Sequence, residues 1–408
     1  MAPSTTCRSC RAPGLRPFLD LGETPLADAL VDPGRRQPEA RYPLEVAFCE
    51  QCSLVQILEE VPPETLFVDN YLYFSSVSDH LLRHSAEHVD SILERRALGP
   101  GSLVVEVASN DGYLLRWFRD RGVPVLGIDP APDQAAAARA AGIPTLTEFF
   151  GPALAAGLRA RGTRADVIIA NNVMAHVPDL NGFVAGLRTL VADDGEIHVE
   201  NPYVGELIRH REFDTIYHEH FCYFSCTAVD RLVRRHGLFL NDVAFFPDLH
   251  GGTLRWHLAP TERVSERVEE YLYQEERSGM TRFDFYADFA DDVARIRSGL
   301  LDLLEGLRAG GARIGGYGAA AKGSTLLNYC GIGPDLVEFV ADRNVHKQGR
   351  LMPGVGIPIV DPAALLDRSP DYVLLLPWNF KDEILHQQQE YLRRGGRFIV
   401  PVPKPVIL

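Results

Sequence analysis

The sequence is short of positive charge, of long apolar runs and of cysteine. Its 408 residues carry 41 Lys plus Arg against 55 Asp plus Glu, a net charge of −14. A broad basic face for nucleic acid is excluded by that balance, although a local basic patch is not. No nucleic-acid partner is expected. The longest apolar runs, such as Val373 to Leu376, fall far short of the roughly 20 residues that cross a bilayer. No membrane partner is expected either. The opening MAPSTTCRSC has no apolar secretory core, which points to a cytoplasmic protein. Seven cysteines, an odd count without an export signal, argue against a disulfide framework. The apolar and charged fractions, 46% and 24%, are ordinary for a soluble globular protein. The length predicts two or three domains with ample core.

The few cysteines are unevenly placed. Four of them form two C-x-x-C pairs, Cys7 with Cys10 and Cys49 with Cys52, while Cys222, Cys226 and Cys330 are scattered. A C-x-x-C turn aims two thiolates at one point, and two such turns complete a tetrahedral S4 site. Soft ligands with no open position predict structural zinc. Reduced core cysteines or a redox pair are the other readings, but redox chemistry needs only one pair. The segment between the pairs has little core of its own, so its folding is expected to depend on metal.

A run of α/β units follows. His80 to Arg96 has helical periodicity. Leu103 to Val107 reads as a buried strand, followed by a turn and a helix over Tyr113 to Arg121. A second strand, Pro124 to Ile128, ends at Asp129 and Pro130. Later strands end in Asn171-Asn172 and in Glu200-Asn201-Pro202. In open α/β sheets ligands bind outside the carboxyl ends of strands, and an acidic residue after strand two meets ribose hydroxyls. The first turn, Ala108-Ser-Asn110-Asp111-Gly112, has one glycine and no pyrophosphate cradle. With acidic Glu106 inside strand one, it suits S-adenosylmethionine (SAM), which carries an amine and a sulfonium but no phosphate. Glu106, Asn110, Asp111, Gly112, Asp129, Pro130 and Asn171 are the expected cofactor contacts.

Two motifs make the reading specific. Asn171 to Asp179 is N-N-V-M-A-H-V-P-D, and Tyr217 to His220 is Y-H-E-H. With the cysteine pairs and a second Gly-rich domain, they closely resemble the deoxysugar C-methyltransferase family. That resemblance covers essentially the whole chain. It implies methylation at carbon 3 of a dTDP-linked 4-keto-deoxysugar in antibiotic pathways. It also implies a catalytic group at Tyr217, Glu219 and His220, with His176 in support and Tyr71 from the aromatic stretch after the zinc module. The chemistry agrees. The carbon-3 proton is acidified by the neighbouring ketone, and its removal gives an enolate whose carbon can attack the SAM methyl. Histidine is a suitable base near neutral pH, and a phenol or imidazolium suits the oxyanion. His220 is the expected base, Tyr217 or His176 the donor, and Glu219 an orienting group. If Tyr217 to Phe221 is extended, His218 and His220 share one face. A metal site is a weaker reading, since H-E-x-x-H spacing is absent.

Thr261 to Leu307 reads as a helical connector. Beyond it, Gly316-x-Gly318-x-x-Ala321 lies between a strand and a helix, with Lys322 next. Alone, this is an NAD-like fingerprint, and an NAD-dependent sugar-nucleotide oxidoreductase is the alternative function. In the resembled family this domain helps bind the dTDP-sugar, so a pyrophosphate here would belong to substrate. Expected substrate contacts are Asn172, Glu200, Asn201, His218, Gly318, Lys322 and Trp378. The fold class expected is α/β: a small zinc-binding module (1–65), a class I Rossmann-like SAM methyltransferase domain (66–260), and a helical connector with a Rossmann-like domain (261–408). Oligomeric state is open, with a monomer as the default.

Overall fold

The computed structural model describes residues 5–34, 39–67 and 73–408. Three sheets organise the chain. The first contains β1 (Arg16–Thr24), β2 (Tyr42–Phe48) and β3 (Val55–Ile57), joined antiparallel in that order. Its fourth strand comes from far along the sequence: β9 (Cys222–Tyr223) pairs antiparallel with β3. The segment just after Y-H-E-H is therefore part of the cysteine module's sheet.

The second sheet holds β4 (Val104–Val107), β5 (Val125–Ile128), β6 (Thr145–Leu146), β7 (Ala165–Asn171), β8 (Val191–Pro202), β10 (Phe239–Phe246) and β11 (Thr253–Ala259). Its order is β10-β11-β8-β7-β4-β5-β6. The five strands from β6 to β8 are parallel, and β11 is reversed between β8 and β10. Every side chain of β4 is buried, as expected for the centre of a parallel sheet covered on both faces. Among the covering elements is the helix Asp79–Arg95. Ser78 caps it by accepting from the Leu81 N–H at 3.3 Å. Its buried stripe includes His84 and His88 beside Leu81, Val89 and Ile92. Imidazoles there place a polar cluster beneath the sheet.

The third sheet has β12 (Ile314–Tyr317), β13 (Val340–Ala341), β14 (Ile359–Val360), β15 (Tyr372–Leu375), β16 (Arg397–Val400) and β17 (Val406–Ile407). Its order is β14-β13-β12-β15-β16-β17, parallel except for the last strand. The connector, expected as one helix or a pair, is a pair, Glu266–Ser278 and Phe289–Ala309. Gly279, in the left-handed region at φ 87°, ends the first.

The helix Ala321–Cys330, which opens after β12, packs back onto the other two units. Ser324 donates to the Ala27 carbonyl at 2.8 Å, and Thr325 to the Ile216 carbonyl at 3.1 Å. All three sheets thus converge near residues 212–220. Among the described residues, no helix is long and apolar enough to cross a membrane.

Candidate active site

The first turn is tighter than its composition suggests. Ala108, Asn110 and Gly112 all have positive φ, at 56°, 49° and 77°. Gly112 is also fixed by space, since a Cβ there would lie 2.8 Å from Ile143. Asn110 is held on every side. Its N–H donates to Asp129 at 2.8 Å, its Oδ1 accepts from the Ser75 N–H at 2.9 Å, and its Nδ2 donates to the Tyr73 carbonyl at 3.1 Å. Asp111 accepts from the Ser76 N–H at 3.3 Å. The side chains of Asn110 and Asp111 therefore pin residues 73–76 across the turn. Asp129 accepts from Asn110 with one oxygen and from the Ala131 N–H, at 2.9 Å, with the other. Tyr71 lies outside the described residues.

Buried acceptors line the mouth of the sheet without partners among the described residues. They are Glu106 Oε2, Asp111 Oδ1 and Asn171 Oδ1. Burial, then Asp129 and Asp111, raises the Glu106 carboxyl well above its ordinary value. An unpaired acceptor costs free energy when buried, and a cationic ligand would both pair and re-ionise this carboxyl. This set of acceptors fits SAM, whose amine and hydroxyls donate and whose sulfonium is positive.

Across the mouth stands the Y-H-E-H segment. It is not extended. The His220 N–H donates to the Tyr217 carbonyl at 2.9 Å and closes a turn. Tyr217 and His220 consequently fall together, with ring centroids 4.1 Å apart, and His176 lies 4.7 Å from His220. Backbone carbonyls set both tautomers. His220 Nδ1–H donates to Thr215 O at 2.9 Å, and His176 Nδ1–H to Glu219 O at 2.6 Å. Each ring therefore carries its lone pair on Nε2. Burial, then His176, holds His220 well below the usual histidine range; burial also lowers His176, to about 4. Both are neutral acceptors at pH 7. His176 is thus a poor oxyanion donor, contrary to one expectation. Burial, reinforced by Asp28, raises Glu219 to about 8, so its carboxyl is protonated and can donate.

Several expected substrate contacts are otherwise engaged. His218 is fully buried and donates from Nε2 to Pro43 O at 3.0 Å, facing β2 rather than the site. Glu200 is clamped by Arg255 and accepts from His84 at 3.0 Å. The clamp follows from register, since Arg255 sits opposite Glu200 on β11. Asn201, its sequence neighbour, is buried with neither amide atom partnered among the described residues. Asn172 bonds His250 at 3.0 Å.

The third sheet's turn is likewise filled from within. A Cβ on Gly318, at φ 85°, would lie 2.4 Å from Pro377, so close packing explains this glycine. Asp342 accepts from the Ala319 N–H, and Lys347 donates to the Ala319 carbonyl at 2.7 Å. Lys322 donates to Asn379 at 2.9 Å and lies over the Trp378 ring at 4.6 Å. Trp378 in turn donates to Asp214 at 2.7 Å. Burial lowers Lys322, against the pull of Asp214 and Glu212. Lys322 and Trp378 therefore tie this domain to residues 212–214 instead of framing an open phosphate cradle. Burial raises Asp214 to about 6 and Glu212 to about 8. Neither carboxylate was singled out in the sequence, nor was His250, although both acids stand just ahead of Y-H-E-H.

The four paired cysteines meet as expected. Their sulfurs all lie within 4.8 Å of one another, with Cys7–Cys52 and Cys10–Cys49 at 3.5 Å. A tetrahedral zinc with ~2.3 Å bonds separates its sulfurs by ~3.8 Å, so the set fits. Thiol–thiol hydrogen bonding with Cys52 and Cys7 pulls Cys49 down, whereas the Cys49 and Cys52 thiols push Cys7 up. Unbound, the four thiols cannot all ionise; a divalent cation would permit it.

Comparison with known proteins now decides the class. Family models match consecutive parts of the chain: a zinc binding domain over residues 7–67, a methyltransferase domain over 81–241, and a C-methyltransferase C-terminal domain over 248–403. The chain is 37% identical over 410 aligned residues to C-methyltransferase NovU of Streptomyces niveus, covering 100% of this chain and 97% of that protein. The chain belongs to the C-methyltransferase family. Solved structures it resembles include the Synechocystis magnesium protoporphyrin IX methyltransferase with bound S-adenosylhomocysteine (12% identity, TM-score 0.36, 44% of this chain and 83% of that one). Another is a TehB-like SAM-dependent methyltransferase of Corynebacterium glutamicum (14%, TM-score 0.33, 43% and 87%). This C-methyltransferase is SAM-dependent, with a class I methyltransferase domain and an N-terminal cysteine cluster inside the segment that matches a zinc binding domain. The oxidoreductase alternative is set aside.

Proposed function

We propose that this C-methyltransferase adds a methyl group to carbon 3 of a dTDP-linked 4-keto-deoxysugar in antibiotic deoxysugar biosynthesis. The observation that carries the reading is His220. Its Nδ1–H is spent on the Thr215 carbonyl, it is neutral, and its Nε2 is left as a base. Glu106, Asp111 and Asn171, whose acceptors lack partners among the described residues, would hold SAM, which would supply an electrophilic methyl on sulfonium. His220 Nε2 takes the carbon-3 proton. The C–H pair becomes the carbon 3–carbon 4 π bond, and the carbonyl pair moves onto oxygen. Carbon 3 would then take the methyl as the carbonyl re-forms, with the pair of the broken S–CH3 bond left on the departing sulfide. Tyr217, beside the base, and protonated Glu219 orient the sugar. A general base positioned within hydrogen-bond reach contributes about 10²–10⁴-fold.

The test uses purified protein, SAM and a dTDP-4-keto-deoxysugar. One equivalent of S-adenosylhomocysteine per methylated sugar is expected. Methylation at oxygen instead of carbon 3 would refute the assignment.

A further inference from the structure

We propose that His250, on the β10–β11 hairpin, is a catalytic residue that donates a hydrogen bond to the substrate oxygen as it gains charge. The role rests on the substrate reading above. Enolisation needs an acceptor for the proton and a donor for the oxyanion. His176 and His220 both spend their Nδ1–H on a backbone carbonyl, so neither neutral ring supplies the donor.

His250 has the opposite polarity. Asn172 Nδ2 donates to its Nε2 at 3.0 Å, so the neutral ring carries its proton on Nδ1. That N–H has no partner among the described residues, and the ring is half-buried. Asn172 directly follows β7, four residues before His176, so its bond sets His250 at the mouth of the sheet. His250 and Lys322 both electrostatically depress His220, and Glu200 and His84 in turn act on His250.

The backbone is built to hold this ring. His250, Gly251 and Gly252 are consecutively left-handed, at φ 53°, 88° and 122°, and Asn172 is also left-handed at 50°. A residue with a Cβ rarely adopts this conformation, and such outliers gather at functional sites. The two glycines are forced. A Cβ on Gly251 would lie 2.4 Å from Glu212 Oε2, and one on Gly252 2.8 Å from Glu206. The hairpin is thus pressed against the wall that carries Glu212. The Gly252 carbonyl is tied to the Tyr203 N–H at 2.9 Å. Burial, then Lys322, lowers His250 to about 4, which keeps the donor tautomer neutral at pH 7.

The test compares His250→Gly and His250→Asn with wild type. Glycine accepts the left-handed backbone but removes the donor. Asparagine tolerates the backbone and can supply an amide N–H. Two rates are read: exchange of the carbon-3 hydrogen with deuterated solvent in the absence of SAM, and S-adenosylhomocysteine release with SAM. His250→Gly is expected to lower exchange and kcat together by about 10²–10³-fold, with KM and the thermal midpoint little changed. His250→Asn is expected to recover at least about tenfold of that loss, as one restored donor should. Exchange in His250→Gly close to the wild-type rate would overturn the role. So would a loss confined to KM, or one that follows thermal stability and is not rescued by asparagine. Wild-type protein that neither exchanges nor methylates the sugar would overturn the substrate reading itself, and this role with it.

Discussion

His176 and His220 stand with ring centroids 4.7 Å apart, and each gives its Nδ1 proton to a backbone carbonyl of the Thr215–His220 segment. Two neutral imidazoles so fixed differ in what they face, not in protonation. His220 is also against the Tyr217 ring, whereas His176 is against Phe67. His220→Asn is expected to lower turnover by about 10²–10⁴-fold, the range of a lost general base. SAM affinity, measured by calorimetry, should stay within about threefold of wild type, since no cofactor contact is removed. Retained turnover would remove His220 as the base.

The cysteine cluster predicts metal-dependent folding. Purified protein should contain about one zinc per chain by elemental analysis. Cys49→Ser, or a strong chelator, should release it and lower the thermal midpoint. The damage should reach the site, because β9 links the cysteine sheet to the segment after His220. Metal-free protein with an unchanged midpoint and activity would contradict this.

The clamp on Glu200 predicts a large stability effect. Arg255 and the carboxylate are both buried, and the pair is in register across β8 and β11. Removing one partner of a buried pair leaves an uncompensated charge and costs about 3–5 kcal/mol. Glu200→Gln should therefore shift the urea midpoint strongly, and adding Arg255→Met should recover part of the loss. A surface-like effect near zero would show that the pair is solvated.

Buried histidines set the pH dependence of stability. His88, His198 and His257 lie under the sheet, and His176, His220 and His250 near the mouth; burial lowers all of them. The unfolded chain takes up protons below about pH 6.5 while these folded rings do not. Stability should therefore fall as pH drops from about 6.5 toward 4, the folded value of His176 and His250. Six raised carboxyls, Glu106, Asp129, Glu212, Asp214, Glu219 and Glu275, act in the opposite sense above the ordinary carboxylate value. With His218 and His236 also lowered, eight imidazoles outnumber them. Thermal melts at pH 7 and pH 5 should show the lower midpoint at pH 5; a higher one would contradict the burial of these rings.

The architecture was legible where the signal is local. Paired C-x-x-C spacing located the cysteine cluster, and the mostly apolar run Leu103 to Val107 located the central strand, which is Val104–Val107. The first turn was disguised. Its left-handed positions, 108, 110 and 112, are those a G-x-G-x-G turn would fill, yet two hold Ala and Asn. Asn tolerates that region, and Ala108 sits there at a cost of about 1–2 kcal/mol. The Y-H-E-H turn was not readable, because four residues are too few to show a period. Glu200 was misassigned because its partners His84 and Arg255 are 116 and 55 residues away. His250 did leave a trace: a histidine followed by two glycines between two strands marks a tight turn.

The most direct test of carbon-3 methylation is nuclear magnetic resonance of the product formed from SAM and a dTDP-4-keto-deoxysugar in deuterated solvent. The expected spectrum shows a new methyl bonded to carbon 3, with carbon-3 deuterium appearing in substrate when SAM is withheld. A methyl on oxygen, or no exchange at carbon 3 in wild type and His220→Asn alike, would contradict it.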